Sequence, residues 1–174
     1  MRENADGQSE YSAFVSVNWS RYLRVAVLLT GDRHRAEELL QDSLVRLYVH
    51  WKRVADRGDP NAYLHKMLVN GNVSWWRRRR REQLVAEVPD RVDPGGQPER
   101  HERLRAALRS LPYRQRAVVV LRHYADLPER QVAQILGCSV GAVKTHNSRA
   151  LNRLRELLAW DSTDDDVKEK ETVR

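Results

Sequence analysis

Five consecutive arginines, Arg77 to Arg81, follow directly on the pair Trp75-Trp76 at the end of a helix-length run that begins at Pro60. Upstream in that run Lys66, Asn70 and Ser74 recur every four residues. On a helix they line an ammonium, an amide and a hydroxyl along one face, leading to the guanidinium groups of Arg77 and Arg78. Those are the groups that contact phosphates and base edges. Tyr63, Trp75 and Trp76 add flat apolar surfaces on which an unstacked base could lie, at about 1 to 3 kcal/mol per base. The arginines can neutralise several phosphates and draw salt-dependent affinity from the counterions released. The plainer alternative puts the tryptophans in a core and the arginines at a solvated helix end. A monotone cationic end repels itself unless an anion is present, which weighs against that alternative.

A second set of polar and cationic residues, Lys144, Thr145, His146, Ser148 and Arg149, opens a later helical pattern. The stretch before it, Leu127 to Val143, has the spacing of a helix-turn-helix. Pro128 starts a short helix, Ala133 is small where a second helix must approach, and Gly137 supplies a left-handed turn. Ser139 caps the next helix and Val143 points back into the corner. In such a motif the first residues of the second helix enter the major groove. That assigns Lys144, Thr145, Ser148 and Arg149 to DNA, with Lys144 and Arg149 able to reach guanine edges or phosphates and His146 as a lesser contact. A compact helical hairpin that binds protein is the alternative. A third stripe, Glu38, Gln41, Asp42, Val45 and Val49, sets carboxylates and an amide beside two aliphatics that solvent would waste. It reads either as a partner-binding face or as an ordinary helix surface with two exposed valines.

The elements that must hold these residues follow from periodicity. Residues 1 to about 10 carry no apolar pattern and are expected to be unstructured. Val15, Trp19, Tyr22, Ala26 and Leu29 keep helical spacing up to Thr30-Gly31, with Gly31 as the left-handed end. Asp32 caps a second helix running to about Trp51 on the seam Ala36, Leu40, Leu44, Leu47 and Trp51. A loop over 50–59 leads to the Pro60 helix, capped by Asp59 and seamed by Leu64, Leu68, Gly71 and Trp75. Glu82 to Pro98, rich in proline, glycine and charge, reads as a flexible linker of about 17 residues whose ends average roughly 22 Å apart. Helical pattern resumes at Glu99 with Leu104, Ala107, Leu108 and Leu111, and Ser110 is expected to cap the following helix. The expected fold is all-α: two small helical domains, 11–81 and 99–158, joined by linker 82–98, with the helix-turn-helix in the second and a disordered acidic tail over 159–174.

Composition narrows the function classes. A formal charge of +7 in 174 residues favours polyanionic partners. Nothing approaches 18 consecutive apolar residues and the N-terminus has no export pattern, so membrane insertion is not expected and the cytoplasm is. The lone Cys138 makes no internal disulfide and has no histidine cluster at metal-ligand spacing, so it reads as a small turn residue. There is no glycine-rich phosphate loop and no nucleophile beside a base, which argues against an enzyme, a catalytic residue, a metal or a cofactor.

Two units then match one family in the same order. Over roughly residues 11–158 the chain resembles the extracytoplasmic-function group of bacterial sigma factors, the short members of the sigma-70 family. Ala36-Glu37-Glu38-Leu39-Leu40-Gln41-Asp42 is similar to the family segment that docks on the clamp helices of RNA polymerase. Tyr63-Leu64 through Asn70 to the Trp-Trp-Arg run looks like the segments that melt and read the proximal promoter element, and Leu127 to Arg155 like the helix-turn-helix that reads the distal element and touches the polymerase flap. The resemblance implies a subunit directing core RNA polymerase to promoter DNA, with an anti-sigma protein as a possible further partner. It implies polymerase contacts for Glu38, Gln41, Asp42 and Val45, and non-template-strand contacts for Lys66, Asn70 and Ser74. The loop over 50–59 would cradle an extruded base. Gly71 departs from a good helix former at up to about 1 kcal/mol. The rival reading is a free-standing helix-turn-helix regulator, which leaves the stripe from Tyr63 to Arg81 without a purpose.

Overall fold

A computed structural model describes the backbone of residues 2–82 and 98–171 and the side chains of 7–56, 58–75 and 102–158. The first unit is α1 (Arg2–Thr30), α2 (Arg33–Val49), α3 (Trp51–Arg57) and α4 (Pro60–Glu82). The second is α5 (Pro98–Ser110), α6 (Tyr113–Val119) running into a π-helical turn (Val120–Tyr124), α7 (Glu129–Leu136) and α8 (Val140–Glu171). The described residues form no strand.

α1 ends as the sequence predicts, on Gly31 with φ +80°, a conformation that favours glycine. Asp32 then accepts a 2.7 Å hydrogen bond from the Arg35 amide and starts α2. α1 and α2 run antiparallel, so that the Tyr11 hydroxyl donates to the Leu44 carbonyl at 2.9 Å. α1 is longer than expected: the backbone is helical from Arg2, where the sequence reading leaves residues 1–10 unstructured. Tyr11 and Phe14 anchor this end on Trp51, with ring centroids 5.4 and 5.3 Å away. The expected loop over 50–59 is also corrected. Trp51 and Val54, three residues apart, both turn into the core and wind the segment into the two turns of α3.

Ser110 does not cap α6. Its hydroxyl donates back to the Ala107 carbonyl of α5 at 2.7 Å, and α6 starts instead at Pro112, whose carbonyl takes the Gln115 and Arg116 amides. The π-helical turn ends where the Ala125 amide reaches the Val120 carbonyl, five residues back, at 2.9 Å. Asp126, at φ +54°, turns the chain toward α7, a left-handed position that aspartate tolerates.

One buried cluster begins with Tyr22, Val25 and Leu29 of α1 and continues into Val118, Leu121, Val132 and Val143 of the second unit. A smaller one joins Ala107, Leu108 and Leu111 to Val119, Ala150 and Leu154. The two units, which the sequence reading lets drift apart, here lie against each other. Residues 83–97 of the expected linker lie outside the described residues. α8 continues as backbone helix to Glu171, where the sequence reading expects an unstructured acidic tail.

Candidate nucleic-acid and polymerase interfaces

α4 is set by its N-terminus. The Asp59 carboxylate accepts the Asn61 amide at 2.9 Å, and Pro60 occupies the first helical position, where its missing N–H is no loss. Leu64 and Leu68 are fully buried, which fixes the rotation of the helix and leaves Lys66, Asn70 and Ser74 exposed together on the other side. Gly71 has a packing reason: a Cβ there would stand 2.5 Å from Leu39 Cδ1, so α2 and α4 approach through the missing side chain. The sequence reading missed two buried polar residues on this helix. Asn72 is fully buried and donates to the Leu29 carbonyl at 2.9 Å. His65 lies beside the Tyr22 ring, 5.0 Å between centroids. Burial first, and the Arg21 charge second, push His65 down to about 4 against the opposing pull of the Asn61 backbone and Asp59. Tyr22, pushed upward by burial, donates to the Asn61 side-chain carbonyl at 2.7 Å.

Trp75 is half-buried, with the Arg35 guanidinium carbon 3.2 Å from its ring centroid in a cation–π stack. That stack takes one face of a ring the sequence reading offers to a base. The side chains of Trp76, Arg77 and Arg78 lie outside the described residues, although the α4 backbone runs through them to Glu82. Tyr63 packs partly against the core.

The helix-turn-helix forms as its spacing predicts. Gly137 has φ +61°, the Ser139 hydroxyl accepts the Ala142 amide at 3.1 Å, and Ala133 and Val143 are buried between α7 and α8. Lys144, Thr145, Ser148 and Arg149 are exposed along the start of α8. Their chemistry differs. The Lys144 ammonium lies 3.8 Å from Glu129, and the Thr145 hydroxyl donates to the Gly141 carbonyl of its own helix at 2.9 Å. His146 is half-buried with its Nδ1 sealed from solvent and without a hydrogen-bond partner. Asn147, which the sequence reading passes over, shares a 2.8 Å hydrogen bond with His123 of the π-helical turn.

On α2 the stripe of Glu38, Gln41, Asp42 and Val45 is exposed, and Val45 keeps 64% of its surface in solvent. Tyr48 at 50% and Val49 at 70% extend it by another turn. Tyr48 escaped the sequence reading, though its spacing of three from Val45 places it on the same face. A run of exposed apolar side chains bounded by carboxylates has the composition of a docking face. An apolar cleft of about 640 Å³ lies between the units, with Leu23, Val27 and Leu28 on one wall and Leu104, Leu108 and Val119 on the other. Among the described residues no cluster of His, Cys, Asp and Glu has the arrangement of a metal site, and no helix is long and apolar enough to cross a membrane.

The two units coincide with two known sequence families. Residues 15–82 match the family described as Sigma-70 region 2, and residues 101–154 the one described as Sigma-70, region 4. The chain is 38% identical over 152 residues to the RNA polymerase sigma-E factor of Streptomyces avermitilis, covering 86% of this chain and 85% of that one. It is 32% identical over 145 residues to the ECF RNA polymerase sigma factor EcfG of Rhodopseudomonas palustris, covering 80% of each. Among solved structures it is similar to the sigma factor RpoE of Bartonella quintana, crystallised with the anti-sigma factor NepR, at a TM-score of 0.77 and 26% identity over 86% of this chain and 97% of that one. CnrH, solved with the cytosolic domain of CnrY, shares the fold at a TM-score of 0.63. The chain therefore belongs to the sigma-70 family, in its extracytoplasmic-function group, and is a sigma factor that directs transcription initiation.

Proposed function

We propose that this sigma factor docks on core RNA polymerase through the α2 stripe of Glu38, Gln41, Asp42 and Val45. It opens the proximal promoter element with α4 and reads the distal element with the start of α8. The observation that carries this reading is the pair of open polar faces on one chain. Lys66, Asn70 and Ser74 stand exposed on a helix whose far side is fixed in a core, and Lys144, Ser148 and Arg149 stand exposed on the recognition helix. α4 supplies an ammonium, an amide and a hydroxyl for phosphates and base edges of an unpaired strand, while the helix-turn-helix suits a major groove. The arginines beyond Trp76 add sequence-independent affinity that falls with salt.

An anti-sigma protein is proposed as a further partner. Its support is the complex in which the Bartonella RpoE was solved, together with the apolar cleft between the two units of this chain. Runoff transcription with purified core polymerase tests the main reading. Promoter-specific transcripts that depend on this protein are expected; their absence on every candidate template would defeat it.

A further inference from the structure

We infer that Arg35 of α2 is a positioning residue for promoter opening: its guanidinium holds the Trp75 ring in the orientation in which that ring meets an unpaired base. This rests on the assignment of α4 to the proximal element and adds to it a part drawn from a different helix.

The contact is built by the packing of α2 on α4. Leu39 fills the space left by Gly71, where a Cβ would stand 2.5 Å from its Cδ1. Arg35 lies four residues before Leu39 and Trp75 four residues after Gly71, so in helices that run oppositely the two pairs stand one turn apart along a single seam. At this second step the seam changes chemistry. The Arg35 guanidinium carbon, 3.2 Å from the indole centroid, lies in van der Waals contact with the ring face.

Both sides of the stack are anchored by their own helices. The Arg35 amide donates to the Asp32 carboxylate at 2.7 Å in the cap of α2. One turn before Trp75, the fully buried Asn72 donates to the Leu29 carbonyl at 2.9 Å. Between these anchors Trp75 is only half-buried, and it follows directly on the exposed Ser74 of the polar stripe. An indole in such a place turns about two side-chain bonds and must give up that freedom when a base stacks on it. A guanidinium on one face removes the freedom in advance, so the ring is already ordered when the strand arrives. Arginine suits this task where lysine does not, because the planar cation lies flat on an aromatic face and is weakly hydrated.

The test is promoter opening by holoenzyme reconstituted from the full-length chain and core polymerase, followed through a fluorescent adenine analogue in the proximal element. Binding of the same holoenzyme to the unopened promoter is measured alongside. Arg35→Lys keeps the charge and loses the planar stack. It should open the promoter about 2- to 10-fold more slowly, the size of a half-exposed cation–π contact, while its affinity for the unopened promoter stays that of the wild type. Trp75→Ala should be slow as well, and adding Arg35→Lys to it should cost nothing further, since the two residues act as one unit. Opening at the wild-type rate by Arg35→Lys or by Trp75→Ala overturns the positioning role. So does a full additional loss in the double variant, which would make Arg35 a DNA contact in its own right. In those cases a wild type that opens the promoter keeps α4 at the proximal element, whereas a wild type that opens none loses that assignment and the positioning role with it.

Discussion

Arg149 and Lys144 both stand exposed near the start of α8 but are not equivalent. Lys144 faces Glu129 at 3.8 Å, so a phosphate or guanine must compete for it, whereas Arg149 makes no ion pair with the described residues. Replacing Arg149 by alanine should weaken distal-element binding by about 1 to 3 kcal/mol and relax the preference at one base pair. Titrating the variant against the element and its single-base variants checks this, and undiminished discrimination would reduce Arg149 to a phosphate contact. His65 gives a prediction of another kind. Its folded pKa of about 4 lies below the ordinary 6.5, so between these values the unfolded chain binds the proton that the folded chain refuses. Stability is complete above pH 6.5 and falls as the pH drops toward 4, by about 2 kcal/mol at pH 5. Urea unfolding at pH 7 and pH 5 should show that loss, and His65→Phe should shrink it. Neither His65 nor Asn72 was legible as a core residue in the sequence. Polar side chains are ordinarily exposed, and the burial of these two comes from Tyr22 and Leu29 of another helix.

At the scale of the elements, signals that act within a few residues were readable and those that depend on distant partners were not. Asp32, Gly31, Gly137 and Ser139 do what their types and positions predict, because caps and left-handed turns are local. α3 escapes the sequence because a two-turn helix carries too few residues to show a period; Trp51 reads as the end of the α2 seam, and its inward partner Val54 is recognisable only in the packed core. Ser110 was misplaced since its hydroxyl had an equally local competitor in the Ala107 carbonyl. Gly71 looked like a weak point of α4 and proves to be a close approach to Leu39. Gly71→Val should therefore lower stability by about 1 to 3 kcal/mol through overpacking, visible as a lower urea midpoint with an unchanged slope. On α2, Asp42→Ala should weaken binding to core polymerase in a pull-down or fluorescence titration while circular dichroism stays unchanged, since its side chain stands in solvent. Unaltered core affinity would remove Asp42 from the docking face.

For the whole molecule, the all-helical class and the order of the two units were legible from periodicity and from the change of composition at Glu82. Their mutual packing was not. Val118, Leu121 and Val132 look like the core of a small domain, and no sequence pattern tells which part of that surface meets Val25 and Leu29. The buried Arg116 hid for the same reason: in the sequence it is one arginine among many, and only the carbonyls gathered around it set it apart. The division of labour between the units is tested most directly by promoter opening with reconstituted core polymerase, followed through a fluorescent adenine analogue in the proximal element. Wild-type protein should raise the signal, and Lys66→Ala/Asn70→Ala should abolish the rise while distal-element binding persists. A full signal from the double variant, or no opening by the wild type on any promoter template, would contradict the assignment.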